Sequence, residues 1–482
     1  MASNNSKPVS LVERESTGGE IASSGFDFQD NFLVTKIPYF LSFQGFTSLT
    51  QESIADIEVK YFVPGVGEKI EAFEVKDHQV TPKEFWEEME RFQRINSENP
   101  DLYLFFTLIS PSLSKEIHPL INKLRRIRDP CHFYPENSKL IESSYEVFKD
   151  IVLGMGKDEK MADFLFRKVL IDSAWNPHEQ VVGVFCDEFA KCFPQYETIS
   201  HSTIKNIYPN LLEFIKFRKN KPICRMELEK QILDIIKERS QIFSRPIMIN
   251  TLIKNKNKLE KEFCLNWESF FGGDGRIFPP AEQWNQTLIG ELEETKNWIL
   301  QNSNSRDIHL LGNRRISTSL ALGHTFSAVS GFSLEINIGD ESFRTDSHPD
   351  DSTPEYPLSV IPAIFENNES KRLAVTIGIM RDIGDEVKNY LSAEGKSNQP
   401  LLTIFSDNPV SSASQANVAV RRIKGYISDA LVKGNIETTD LFFAGPSFLA
   451  LFLGHRLNAT SKTQCYEWIG PNKYAPTCLL KI

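Results

Sequence analysis

Residues Ile54 to Lys76 narrow most what this chain can fold into. IADIEVKYF and IEAFEVKD both alternate apolar and charged residues, and the PGVGEK between them supplies Pro64, Gly65 and Gly67, residues suited to a hairpin connection. Ile57, Val59 and Tyr61 share one face of the first strand, and Phe73 and Val75 point to the core from the second. Asp56, Glu58 and Lys60 are left on the opposite face, as are Glu74 and Lys76. Folding about Gly65 brings Asp56 close to Val75, so Asp56, Glu74 and Lys76 converge.

Such a trio suits phosphodiester hydrolysis. Asp56 and Glu74 would hold Mg²⁺ or another divalent cation against the phosphate, while Lys76 orients or deprotonates the attacking water and offsets developing charge. A D…ExK spacing alone also occurs on solvated strand faces, so its surroundings decide. Thr81-Pro82-Lys83-Glu84 is a capping box with proline at the first helical position. Phe85, Trp86, Met89 and Phe92 then recur at helical spacing, and LYLFFTLI reads as a buried strand.

This order of hairpin, crossover helix and buried strand, with Asp56 and Glu74-Val75-Lys76 in place, resembles the PD-(D/E)xK nuclease core. The chain departs from that family's common pattern only in lacking a proline before Asp56. The resemblance also implies a role for Gly25-Phe26-Asp27-Phe28-Gln29, which matches a GFxxQ helix opening that lies beside the metal site. It makes Gln29 a catalytic candidate alongside Asp56, Glu74 and Lys76. Read from the residues alone, Gln29 is equally an exposed glutamine at a helix start.

With 482 residues, 40% hydrophobic and 24% charged, the chain can bury substantial cores in two or three domains. Its seven cysteines form no CxxC pair, which suggests neither a zinc ribbon nor a disulfide framework and points to a reducing compartment. No stretch approaches the roughly 18 consecutive apolar residues of a membrane span, and the N-terminus lacks an apolar signal core. The expectation is a cytoplasmic protein with no membrane partner. A formal charge of −10 argues against coating nucleic acid over the whole surface, so local basic clusters matter.

Residues 1–22 read as a mobile leader, and 23–235 as the nuclease domain with a helical extension. That extension holds two basic runs. Arg125, Arg126 and Arg128 in the first, and Lys216, Arg218 and Lys219 in the second, are candidate contacts to double-stranded DNA, although such runs are usually solvated faces. Residues 236–257, rich in charge, read as a linker.

From Asp307 onward strands and helices alternate as in a mostly parallel sheet covered on both faces, and one unit occurs twice. IHLLGNRRISTSLALGHTFSAVSGFSLEINI and LFFAGPSFLALFLGHRLNATSKTQCYEWIG each hold a strand, a glycine (Gly312, Gly445), a helix with Leu-Gly-His, and a strand with a glutamate (Glu335, Glu467). Two copies would pack about a pseudo-twofold, with glycine loops at the strand ends where such sheets bind ligands. Strand-to-helix amides favour phosphates, and Arg314 and Arg315 lie in the first loop. His324 and His455, set among apolar residues, read as core histidines rather than metal ligands. Neither G-x-G-x-x-G nor a Walker lysine is present.

This half resembles the SAVED domain, a fusion of two CARF-like Rossmann-type units, over about residues 258–482. LFFAGPSFLALFLGHRLN, YEWIG and Tyr474-Ala475-Pro476 carry the likeness. The resemblance implies a receptor for a cyclic oligonucleotide, a cyclic trinucleotide being the expected activator. Its candidate contacts are Gly312, Arg314, Arg315, Ser317, Met380, Arg381, Gly445, Pro446, Ser447, Trp468 and Tyr474. Joined to the nuclease core, the α/β chain resembles the DNA endonuclease effectors of CBASS antiphage signalling, which implies ligand-driven self-association and largely non-specific DNA degradation. The alternatives are a restriction-type nuclease whose C-terminal half recognises modified DNA, and a receptor without enzymatic activity.

Overall fold

The chain divides into two units, Met1–Phe62 with Gly67–Ile242, and Val63–Val66 with Phe243–Ile482. The computed structural model describes residues 14–129, 138–173, 175, 180–194, 199–236, 246–252, 261–273, 277–347, 349, 353–365, 370–458 and 460–481. The stretch expected to be a mobile leader is helical from Arg14; residues 1–13 lie outside those described.

In the first unit α1(Arg14–Ser42) and β1(Phe46–Gln51) precede the hairpin strands β2(Ile57–Val63) and β3(Gly67–Val75). Then come α2(Pro82–Glu98) and β4(Tyr103–Ile109). Thr81 caps α2 by accepting the Glu84 N–H at 3.3 Å, so the capping box sets the helix start. β4 runs parallel to β3, as a crossover helix requires. The remaining elements are α3(His118–Arg128), α4(Lys139–Gly154), α5(Glu159–Lys168), β5(Val169–Asp172), α6(Val181–Cys192), α7(His201–Phe217), β6(Ile223–Cys224) and α8(Arg225–Ile236). The short strands β5 and β6, inside the region read as helical, close the two edges of one six-stranded sheet of order β5-β4-β3-β2-β1-β6.

Helices cover both faces of this sheet. Phe32 and Phe40 of α1 set their rings 5.9 and 5.7 Å from Phe73, and Phe43 lies 5.6 Å from Tyr61. On the other face Ile70 and Ala72 join Phe85, Met89 and Phe92 of α2 in a core with Phe106. Glu74 alternates with Phe73 and Val75, so it points toward α2 and is buried there.

The second unit holds β7(Ile247–Leu252), β8(Phe263–Asn266), α9(Ala281–Gln283), a π-turn over Trp284–Leu288, α10(Ile289–Asn302), β9(Asp307–Gly312), α11(Ile316–Thr325), β10(Ser333–Ile338) and β11(Glu341–Arg344). β12(Ser359–Ile361), β13(Arg372–Ile379), α12(Gly384–Ala393), β14(Leu401–Ser406), α13(Ala413–Gly434), β15(Thr438–Ala444), α14(Ser447–Arg456), β16(Lys462–Gly470) and β17(Lys473–Leu480) follow. Two sheets result, of order β11-β10-β9-β7-β8 and β12-β14-β13-β15-β16-β17. The duplicated unit is visible as two strand–helix–parallel strand crossovers, β9-α11-β10 and β15-α14-β16.

The two copies meet through α11 and α14. A Cβ on Gly323 would lie 2.1 Å from the Leu451 carbonyl oxygen, and one on Gly454 would lie 2.2 Å from that of Leu320. Leu320 precedes Gly323 by as many residues as Leu451 precedes Gly454, so the contact is reciprocal, as a local twofold requires. The glycine of each Leu-Gly-His is thus a site of backbone contact between helices. His455 is a buried core residue, its Nε2 2.9 Å from the Phe332 carbonyl oxygen, while His324 is half-buried; burial pushes both down to about 4.

The linker expected over 236–257 contains a strand of the second unit. β7 lies between β9 and β8, parallel to both, so a receptor fragment begun at residue 258 removes an interior strand. A fragment of residues 243–482 should give a cooperative thermal transition by circular dichroism, and one of residues 258–482 should not. Equal transitions would show β7 to be dispensable.

Candidate active site and ligand-binding surface

Asp56, Glu74 and Lys76 come together at one end of β2 and β3. Asp56 Oδ2 accepts the Val75 N–H at 2.7 Å, while Lys76 Nζ donates to Glu74 Oε1 at 2.8 Å. Two residues of α2 complete the cluster. Glu88 Oε1 lies 2.9 Å from Lys76 Nζ, and Arg91 bonds Glu74 Oε2 through Nη2 and Glu88 Oε2 through Nε at 2.8 Å. Sequence reading missed both. The only available signal was an acid and a base at i,i+3 on the flank of the Phe85-Met89-Phe92 stripe, a spacing usual for solvent-facing pairs.

Burial pushes the Asp56 carboxyl up to about 7, with the Glu74 charge adding to it and the Val75 N–H and Lys76 opposing. Burial alone would lower Lys76, but Glu74 and Glu88 hold its ammonium well above the ordinary lysine value. In the cation-free protein Lys76 is therefore held protonated, which fits orienting and charge-offsetting roles. Glu71, buried against the Tyr61 hydroxyl, is likewise raised by burial to about 7.

These shifts predict how metal-free protein responds to pH. A carboxyl whose folded value is raised stabilises the fold below its unfolded value, near 4, and that contribution is lost as pH climbs through about 7. The melting temperature should fall between about pH 4 and about pH 7, and the Asp56→Asn, Glu71→Gln double variant should flatten the fall. Scanning calorimetry across that range checks this. An equally steep decline in the double variant would mean other groups carry it.

The donor set fits a divalent cation. Among the described residues no cluster of three or more His, Cys, Asp or Glu side chains could hold a metal alone. Mg²⁺ takes one or two carboxylates and completes its shell with water and phosphate oxygens. Asp56, raised by burial and by the Glu74 charge, could supply one such carboxylate and Glu74 the other. Gln29 is half-buried and lies well inside α1, which begins at Arg14, so Gly25-Phe26-Asp27-Phe28-Gln29 is not the helix opening expected; a Cβ on Gly25 would nonetheless lie 3.7 Å from Asp77 Oδ2, next to Lys76 in the chain.

Most of the basic candidates are engaged within the unit. Arg125 Nη2 bonds the Ile171 carbonyl at 2.6 Å, and Arg128 bonds that of Val169, so both fasten α3 to β5. Lys216 pairs with Asp27 at 2.6 Å and Arg218 with Glu227 at 2.6 Å. Lys219 lies 3.9 Å from Asp30 and 3.9 Å from the Phe26 ring centre. Arg126 is exposed and borders an apolar groove of about 510 Å³ between α3 and α4.

In the second unit the loop after β9 reaches β16. Ser317 N donates to Glu467 Oε1 at 3.3 Å, and Arg315 Nη1 stands 3.7 Å from Glu467 Oε2. The start of α11, expected to attract phosphate, thus already faces a carboxylate. Gly312 has φ +81°, and a Cβ there would lie 2.1 Å from the Thr251 carbonyl oxygen of β7, so strand packing alone demands glycine. Arg315 also bonds the Ile277 carbonyl at 2.9 Å and stacks on Phe271 and Phe278. Ser317 is buried, its Oγ bonded to Thr477 at 2.7 Å.

Arg314 differs. Its Nη1 donates to the Leu311 carbonyl at 2.9 Å, its buried Nε lacks a hydrogen-bond partner, and burial pushes it down to about 10. Across the second sheet Met380 and Trp468 are exposed by 60% and 49%, as surfaces for stacking a base would be. Glu386, unforeseen from sequence, gathers this rim: it takes Arg381 at 2.6 Å, Trp468 Nε1 at 2.7 Å and Asn472 N at 3.2 Å. Tyr474 is buried among Tyr390, Phe442 and Tyr466, and Gly445 packs on Ile379 and Phe443. Pro446 caps α14, which Ser447 begins.

Residues 291–480 match the family model of SAVED, the SMODS-associated and fused to various effectors sensor domain. The chain is 29% identical over 479 residues to CD-NTase-associated protein 4 of an Acinetobacter species, and 28% identical over 477 residues to that of Moraxella osloensis. Each alignment covers 98% of this chain and 100% of the relative. Among solved structures, the Acinetobacter baumannii Cap4 SAVED/CARF-domain containing receptor with the cyclic trinucleotide 2′3′3′-cAAA matches with a TM-score of 0.84 at 27% identity, covering 95% of this chain and 99% of that one. The Moraxella osloensis Cap4 receptor matches at 0.76 and 26%, covering 95% and 100%. No described helix is long and apolar enough to cross a membrane. The chain thus carries a SAVED sensor domain at its C-terminal end and is a relative of the CD-NTase-associated protein 4 proteins along 98% of its length.

Proposed function

We propose that this protein is a CBASS effector: a metal-dependent DNA endonuclease switched on when its SAVED unit binds a cyclic trinucleotide. The observation that carries the reading is the convergence of Asp56, Glu74 and Lys76 on the same chain as a SAVED domain. The relative solved with 2′3′3′-cAAA and with 3′3′3′-cAAA supports the ligand class.

Asp56 and Glu74 would hold the cation, which supplies an acidified water and neutralises charge on the phosphate. Lys76, kept protonated and steered by Glu88, donates to the attacking water or to a phosphate oxygen as charge grows there. Water oxygen bonds to phosphorus and gives up a proton to solvent, the bond to the leaving sugar oxygen breaks, and that oxygen takes up a proton from solvent, so that water is added across the ester bond. In the receptor unit, Arg314 is the cation best placed to grip a ring phosphate, because no carboxylate pairs with it among the described residues. Met380 and Trp468 offer faces for adenine.

Supercoiled plasmid incubated with the protein, Mg²⁺ and cAAA should be cut to fragments, and omission of either Mg²⁺ or cAAA should leave it intact. Light scattering in parallel should report growth in particle mass on adding cAAA. Equal cutting without cAAA would overturn ligand control, and no cutting with both present would overturn the nuclease assignment.

A further inference from the structure

Glu74, Lys76, Glu88 and Arg91 form a closed ring of alternating charge. Lys76 bonds one oxygen of each glutamate, and Arg91 bonds the other oxygen of each. Arg91 also donates Nη1 to the Ile54 carbonyl at 2.8 Å, which ties it to the segment that leads into Asp56. Two of its three attachments, Nε to Glu88 and Nη1 to Ile54, do not involve the pair Asp56 and Glu74 assigned to the cation above. Only Nη2 is spent on Glu74.

Both Glu74 oxygens are therefore taken by protein cations, and a metal ion must compete for one of them. Releasing the bond to Arg91 costs least in position, because the guanidinium stays fixed through Glu88 and Ile54. It would leave the Nη2 hydrogens without an acceptor on a half-buried side chain, which is unfavourable unless a new one arrives. A non-bridging phosphate oxygen is such an acceptor, and arginine suits it by geometry. The charges also close: the ring sums to zero, and Asp56, a divalent cation and a phosphodiester together sum to zero.

Resting on the nuclease reading above, we infer that Arg91 is a further catalytic residue, holding Glu74 in cation-free protein and passing its Nη2 to the scissile phosphate when Glu74 turns to the metal.

The test uses the full chain and two readouts. Isothermal titration with Mn²⁺ in the absence of DNA should show Arg91→Ala binding the ion about tenfold more tightly than the parent, since a charge-assisted bond no longer competes. Single-turnover plasmid cleavage at saturating Mn²⁺ and cAAA should nevertheless slow about 10²-fold, as on loss of a transition-state donor. Arg91→Lys, which keeps the charge but cannot bridge both glutamates, should also bind Mn²⁺ more tightly and cleave at an intermediate rate; it decides the matter if Arg91→Ala fails to fold. Unchanged or weaker Mn²⁺ affinity in Arg91→Lys overturns the proposal, as does cleavage at the parental rate in the folded variants. Should the parent not cleave at all, the nuclease reading fails, and the titration alone still decides whether Arg91 and a cation compete for Glu74.

Discussion

Lys76→Ala should reduce ligand-stimulated plasmid cleavage by about 10³-fold or more while cAAA binding, followed by calorimetry, stays at the parental affinity. The ammonium is the one group that touches both Glu74 and Glu88 from the β3 side, at 2.8 and 2.9 Å. Its loss takes away a donor that the proposed reading sets beside the developing charge and leaves two carboxylates with Arg91 as their shared counter-ion. Lys76→Met, which keeps the stem, separates chemistry from packing: it should cleave as poorly and melt closer to the parent. Receptor binding is spared because Lys76 belongs to the first unit. Undiminished cleavage by Lys76→Ala would remove this cluster from the chemistry.

Gly454→Ala should cost the second unit about 4 kcal/mol, in the exceptional range for a single methyl. Overpacking usually costs about 1–3 kcal/mol because side chains give way. Here the new Cβ would stand 2.2 Å from a backbone carbonyl oxygen, that of Leu320, with the rest of α11 behind it. Gly323→Ala should do the same from the other helix. Gly425→Ala in α13 is the control: nothing lies within 4 Å of a Cβ there, so alanine should be neutral or stabilise by up to about 1 kcal/mol. Chemical denaturation of residues 243–482 measures all three, and a Gly454→Ala curve that superimposes on the parent would mean the helices separate without loss.

How much of this was legible in the sequence depends on how far each partner lies along the chain. The hairpin, α2 and β4 were, because period-2 alternation, a capping box and an unbroken apolar run are local signals. The Asp56-Glu74-Lys76 convergence followed from strand geometry alone. Glu88 and Arg91 were hidden because their role exists only once α2 crosses the sheet and lowers its flank onto Glu74. β7 was hidden for a similar reason. IMINTL is short and sits in a charged stretch, and its partners β8 and β9 come later in the chain. The basic runs misled in the opposite direction: the Ile171 and Val169 carbonyls, Asp27 and Glu227 that engage them lie outside the runs themselves. The repeat of Leu-Gly-His was plain, yet its reason, two backbones in contact, required both helices to be in place.

The reciprocal crossing of α11 and α14 gives the receptor unit a local axis of order two. A ring of three nucleotides has an axis of order three or none, so host and guest share no symmetry element. On the proposed reading, a trinucleotide bound to this unit must place its three nucleotides in unlike surroundings. A ring with three identical linkages can enter in three indistinguishable rotations, a statistical gain of about 0.65 kcal/mol over a ring with one odd linkage, which fits in a single pose. A receptor of this build that prefers the irregular ring must first overcome that threefold handicap through the contacts around the odd linkage.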